Sequence, residues 1–202
     1  MAKKKEGGKK RSNFLKENYA LCWKFIRNSR NYIIFISLLF FAFVIIGYIL
    51  PIFFTDFLKK FLQDALDKIQ GMNTIQLIFY IIKNNAAASA IGILFGIFLG
   101  IPSVFTAAIN GYFLGFVLSK SVAAAGPLVI LKLFPHGIFE LPAVLISLAL
   151  GVKIGVNIIT GKNKMKALAY NFKESLRVFL FIVIPLLIIA GIIEGLLIKL
   201  IQ

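Results

Sequence analysis

Pro135-His136-Gly137-Ile138-Phe139-Glu140-Leu141-Pro142 carries the single histidine of the chain and one of two acidic residues that fall inside apolar spans. The whole of 85–160 around it reads as membrane, so this stretch decides how the rest is arranged. A histidine and a glutamate four apart share one face of a helix. Set between two prolines and flanked by apolar runs, the pair is expected at a helix start near one face of a bilayer. Ionisable groups at membrane depth are costly and mark functional sites by default. His136 and Glu140 are therefore the first candidates for a site.

Composition supports the membrane reading. Of the 202 residues, 59% are hydrophobic and the mean hydropathy is +0.90, well above a soluble average of roughly 45–50% apolar. That length holds about five or six spans of ~20 residues and leaves no room for a large soluble domain. The net charge of +15 gathers at span ends. It reads as a positive-inside signal with anionic lipid as its partner rather than as a nucleic-acid footprint. One cysteine, Cys22, rules out an internal disulfide and a cysteine metal cluster. No cleavable signal peptide is expected, because the basic start is long and the first apolar run lacks a small-residue cleavage site.

In chain order, residues 1–12 form a Lys/Gly tail expected to lack structure alone. Residues 13–29 predict a basic amphipathic helix along the cytoplasmic headgroups, with Leu15, Tyr19, Cys22 and Ile26 on one face and Trp23 as an anchor. Domain 1–30 is thus a cytoplasmic tail with an interfacial helix, and 31–202 a single transmembrane domain. Span 1 covers about 32–54. Ten Lys/Arg up to Arg30, against Glu6 and Glu17, place the N-terminus in the cytoplasm. Residues 55–84 predict an extracytoplasmic amphipathic pair of helices, with Gly71 as a C-cap and Asn73 or Thr74 as a new N-cap.

Span 2 follows Asn84-Asn85. Its Ala88, Gly92, Gly96 and Gly100 recur every four residues, which lets two helix backbones approach closely, within the chain or between copies. Asn110-Gly111 is the expected turn before span 3 at 111–133. Gly126-Pro127 would break that span's outer half, with a re-entrant 121–135 as the alternative. Lys120 is expected to snorkel or pair. Span 4 covers 137–160, with Gly151, Lys153 and Gly155 inside it, and a basic interfacial helix follows. Span 5 covers 177–198, kinked at Pro185, with Glu194 near its outer end. The expected fold is all-α: a polytopic transmembrane bundle of five spans with broken helices and amphipathic interfacial helices.

On that topology His136, Glu140 and Glu194 all fall toward the outer leaflet. Three readings stay open: hydrogen bonds that fix a broken helix, a proton or ion path, and a divalent-metal site of one His and two Glu. No nucleophile arrangement, phosphate loop or HExxH motif is present.

Asn110-Gly111 followed by Gly115, then Pro135-His136-Gly137-x-x-Glu140-Leu141-Pro142 and a Gly-rich span, resemble the stage II sporulation protein M family. The resemblance covers about 85–160 and marks Asn110, Gly111, Gly115, His136, Gly137, Glu140 and Pro142 as signature positions. It implies a non-enzymatic membrane component of the engulfment machinery, one that holds cell-wall hydrolases at a septal membrane. The expected function is a membrane scaffold without catalytic residues, metal or cofactor. The expected partners are membrane lipids, a second copy of the chain, and other membrane or extracytoplasmic proteins, with no nucleic acid. The alternative is a small transporter, channel or lipid-handling protein that uses His136, Glu140 and Glu194.

Overall fold

The computed structural model describes the backbone of residues 3–52, 55–160 and 163–201, and the side chains of 13–52, 55–60, 62–130, 137–160 and 163–198. Every regular element among the described residues is helical: α1 (Lys3–Asn28), α2 (Arg30–Ile49), α3 (Thr55–Ile69), α4 (Thr74–Leu94), α5 (Ile101–Ala125), α6 (Val129–Thr160), α7 (Lys164–Val178) and α8 (Ile184–Ile201). Among the described residues, five stretches are long and apolar enough to cross a membrane: Arg30–Ile49, Thr74–Ile97, Ile101–Ala125, Gly137–Thr160 and Lys164–Ile198. The protein is a multi-pass all-α membrane bundle. α1 begins at Lys3, further back than the tail expected without structure, in a stretch rich in the helix former Lys.

Close backbone approaches give the helix directions. A Cβ on Gly111 would meet the carbonyl oxygen of Phe40, and one on Gly115 that of Val44. Both numbers rise together, so α2 and α5 run parallel. A Cβ on Gly92 would meet Leu148, on Gly96 the Gly151 backbone, and on Gly100 the Val152 backbone. α4 and α6 are therefore parallel too. α8 opposes α4, since Gly191 abuts Ile82 and Gly195 abuts Ile78. Successive spans thus alternate in direction. One face of the bundle carries α1, α7 and the α4–α5 turn; the other carries α3 and the α5–α6 break.

α6 is the axis. In its membrane window 61% of the residues are buried, against 17% for α2. Ile36, Phe40, Ala107, Leu145, Leu148 and Val152 form one core cluster. Cys22, Phe25, Ile93, Leu150, Ile154, Val178 and Leu187 belong to a second. Elsewhere α2 turns Ile34, Phe35, Leu38, Ile45 and Ile49 outward, as a lipid-facing surface requires.

Three boundaries differ from the sequence reading. The turn expected near 107–111 lies at 98–100 instead, where Leu99 (φ 59°) and Gly100 (φ 72°) take left-handed backbone. Only a bare Gly155 leaves room for it, because a Cβ there would strike Leu99 and Gly100. Asn110-Gly111 sits inside α5. Within a bilayer the helix's own hydrogen bonds outweigh the turn preference of Asn-Gly, and the glycine serves packing. Next, α4 starts at a capping box: Asn73 Oδ1 accepts from the Gln76 N–H (2.9 Å) and Gln76 Oε1 from the Asn73 N–H (3.0 Å). The helix then continues through Asn84-Asn85, so 74–84 is the first half of a membrane-length helix and not a separate surface helix. Last, Gly126 (φ 79°) ends α5, and the Gly-Pro break falls between spans rather than within one. Pro185 sits just past a π-turn at Phe179–Val183, a distortion of the kind that accommodates proline's missing N–H and its clash with the preceding turn.

Candidate functional site

The signature positions separate into two groups. Gly111 and Gly115 are buried contacts of α5 on α2. Their role is steric, and Tyr112 beside them donates its hydroxyl to the Leu50 carbonyl at 2.8 Å. Asn110, between them and the turn, is exposed. The second group lies on α6. Gly137, Glu140 and Pro142 line a cavity of about 660 Å³ between α2, α5 and α6. Ile33, Ser37 and Phe41 form the α2 wall; Leu114, Val117 and Leu118 form the α5 wall. Glu140 is the charged residue among these lining positions. Ile138 and Phe41 are about half exposed, so the cavity opens sideways as a groove.

Glu194 is half-buried on α8, a helix that packs on α4 and α6, whereas Glu140 faces the groove shared with α2 and α5. The side chain of His136 lies outside the described residues. Among the described residues, no three His, Cys, Asp or Glu side chains stand close enough to hold a metal ion. The run Ala88, Gly92, Gly96, Gly100 divides similarly. Gly92, Gly96 and Gly100 are buried against α6 within the chain, and Ala88 is exposed. Ser103 reinforces that junction by donating its hydroxyl to the Gly92 carbonyl at 2.8 Å.

A second polar cluster lies at the α1/α7 face. Lys153 is buried, and its Nζ donates to Ser29 Oγ at 2.8 Å while sitting 3.8 Å from the centre of the Phe25 ring. Ser29 in turn donates to the Phe25 carbonyl at 2.7 Å. A hydroxyl and an aromatic face hold the ammonium, a cation–π arrangement that desolvation strengthens. Sequence reasoning looked for an acid or for snorkelling, and missed Ser29 because 124 positions separate the pair. Lys120 behaves differently: it is exposed, with its Nζ 5.6 Å from the centre of the Phe116 ring. Glu174 pairs with Arg177 one turn along α7, beside buried Asn171 and Ser175. Cys22 lies against this patch. Burial pushes its thiol pKa up; Arg177 opposes the shift and Glu174 adds to it.

α1 is clamped to the bundle rather than only resting on lipid. Phe14 and Tyr19 meet Phe181 edge-on at 6.3 and 5.9 Å, and Phe25 meets Tyr170 at 6.1 Å. Its buried residues Cys22 and Phe25 lead to buried Ser29 at the junction with α2, while Leu15 and Trp23 point away.

The parallel α2–α5 pair locked at Gly111 and Gly115, and the α6 helix carrying 137–142, fall within a match to the family model for stage II sporulation protein M over residues 36–197. The chain belongs to the stage II sporulation protein M family. The match covers the middle three of the five spans completely, most of the first and all but the last residue of the fifth. An uncharacterised protein of Methanocaldococcus jannaschii is 30% identical over 184 residues, covering 84% of this chain and 82% of the relative. No solved structure matches the chain.

Proposed function

We propose that this family member is a non-enzymatic membrane scaffold that holds other membrane or extracytoplasmic proteins. In this reading the α1/α7 face lies in the cytoplasm and α3 lies outside. The observation that carries the reading is α3. It is a two-sided helix tied between two spans, with exposed Phe57 and Leu66 on its apolar side and a balanced set of charges (Asp56, Lys59, Lys60, Asp64, Asp67, Lys68) on the other. Such a helix rests at the headgroup level and offers a neutral polar face to a partner. The Lys/Arg excess in 1–30 and in 162–177 supports a cytoplasmic placement for α1 and α7. A homodimer must use a face other than the Gly92–Gly100 run, which α6 occupies.

The test places a photo-crosslinking amino acid at Asp64 or Asp67 in the native host. The scaffold reading expects a discrete crosslinked protein that disappears when α3's charges are reversed and persists in Glu194→Gln. Crosslinks to lipid and to the chain itself, with nothing else, contradict it. A transport reading keeps one supporting observation, Glu140 on an open groove. It expects Glu140→Gln or Glu194→Gln to abolish ion flux in vesicles while the protein stays folded.

A further inference from the structure

The groove between α2, α5 and α6 is a void that a membrane will not leave empty. Protein interiors are close-packed, and an apolar opening of this size forfeits the dispersion contacts of every side chain lining it. Water is a poor filler, because most of the lining is Ile, Leu, Val and Phe, with Ser37 and Glu140 as the polar exceptions. Its three walls are all membrane-spanning helices, and the exposed rim residues Phe41, Ile130 and Ile138 are apolar. The mouth therefore faces hydrocarbon.

Shape narrows the occupant. The α6 wall runs from Ile130 to Ile146, sixteen steps at 1.5 Å each, or about 24 Å. Dividing about 660 Å³ by that length gives a mean cross-section of about 28 Å². A helix with side chains, at least 10 Å across, needs about 80 Å². The groove is too narrow to seat a helix along its length, and a hydrocarbon chain fits. Its composition also suits a chain. The walls are branched aliphatics, the groove reaches the mid-depth of the bundle beside Leu145, and Glu140 lies toward the α3 end, where a headgroup would sit.

We propose that this groove is a lipid-binding site. It takes one hydrocarbon chain of a membrane lipid from the leaflet on the α3 side, with the lipid's polar end near Glu140. The inference does not rest on the scaffold reading. Gly137 has a role here, since its missing side chain leaves the upper groove open: the nearest atom a Cβ there would meet is Leu141 Cδ1 at 3.9 Å. Pro142, within α6, has no backbone N–H to donate beside the groove.

The experiment reconstitutes the full chain in phosphatidylcholine vesicles. They contain a small fraction of phosphatidylcholine carrying a diazirine near the end of one acyl chain. After illumination, labelled positions are mapped by mass spectrometry. Labelling is expected to concentrate on the walls at Leu114, Val117 and Leu145, above the level at lipid-facing Ile45 and Ile188. Leu114→Trp, which fills the groove, should reduce wall labelling by about tenfold and leave Ile45 unchanged. Val117→Phe serves as a second filling variant should Leu114→Trp fail to give a monodisperse protein. Labelling spread evenly over the lipid-facing surface, or unaffected by a filling variant that folds, overturns the site. So does a disulfide between two copies at Ile138→Cys, which would seat protein in the groove.

Discussion

The two ends of α6 obey opposite rules. From Ala143 to Gly155 the helix is mostly buried: small residues at Ala143, Ser147, Ala149, Gly151 and Gly155 fill this stretch, and Gly151 and Gly155 let the end of α4 and the 98–100 turn come to backbone contact. From Gly137 to Pro142 the same helix carries Ile138, Phe139, Leu141 and a proline, its neighbours stand off, and a groove remains. In lipid there is no hydrophobic drive to press helices together, so association follows backbone approach and hydrogen bonds. Where a glycine of α6 meets a facing backbone, as at Gly151 and Gly155, the bundle closes; Gly137 meets none, and there it stays open.

Matched substitutions at the two ends should break or sharpen that contrast. The largest effect is expected for Gly151→Leu. A side chain there must displace the Gly92 backbone and Ser103, so a stability loss of about 3 kcal/mol or more is expected, at the upper end for overpacking. Gly137→Leu, at the open end, should cost about 1 kcal/mol or less, a helix-propensity gain offsetting part of any strain. Reversible unfolding in detergent measures both, and equal losses would erase the distinction. Next is Lys153→Met, which removes the bond to Ser29 and the ammonium over Phe25. It should cost about 2 kcal/mol and loosen α1, read as faster proteolysis within 13–28. Tyr112→Phe, which removes the hydroxyl bond to Leu50, should cost about 1 kcal/mol.

The smallest expected effect is chemical. Burial keeps the Cys22 thiol protonated beyond its ordinary range, so maleimide should react more slowly near neutral pH than with an exposed cysteine, and the rate should keep rising with pH through the ordinary thiol range. Glu174→Gln removes a neighbouring negative charge that raises this pKa, and should shift that rise to lower pH. Fast labelling at neutral pH would mean that α1 is not docked as described.

Much of this was legible in the residues, for physical reasons. Five apolar runs set the span count, because a bilayer demands about 20 residues per crossing. The repeat at Gly92, Gly96 and Gly100 marked a close contact, and Asn73 marked a helix start. The turn at 98–100 was hidden. Phe98-Leu99-Gly100-Ile101-Pro102 has no polar residue to flag it, while Asn110-Gly111 offers a stronger turn signal that the bilayer overrides. The course of α4 was obscured by Lys83-Asn84-Asn85, three polar residues inside a spanning helix. Ser29 and Lys153 belong to one hydrogen bond that no local pattern reveals, since packing of α1 and α2 against α6 brings them together. The groove was invisible for the same reason, as three separate helices define it.

The most direct test of the whole arrangement is side-specific accessibility in intact cells. In a Cys22→Ser background, Asp67→Cys on α3 and Met165→Cys on α7 are each treated with a membrane-impermeant thiol reagent. The alternating five-span bundle with α1 and α7 in the cytoplasm predicts that position 67 reacts in intact cells and position 165 only after permeabilisation. Labelling of both in intact cells, or of 165 without 67, would contradict it.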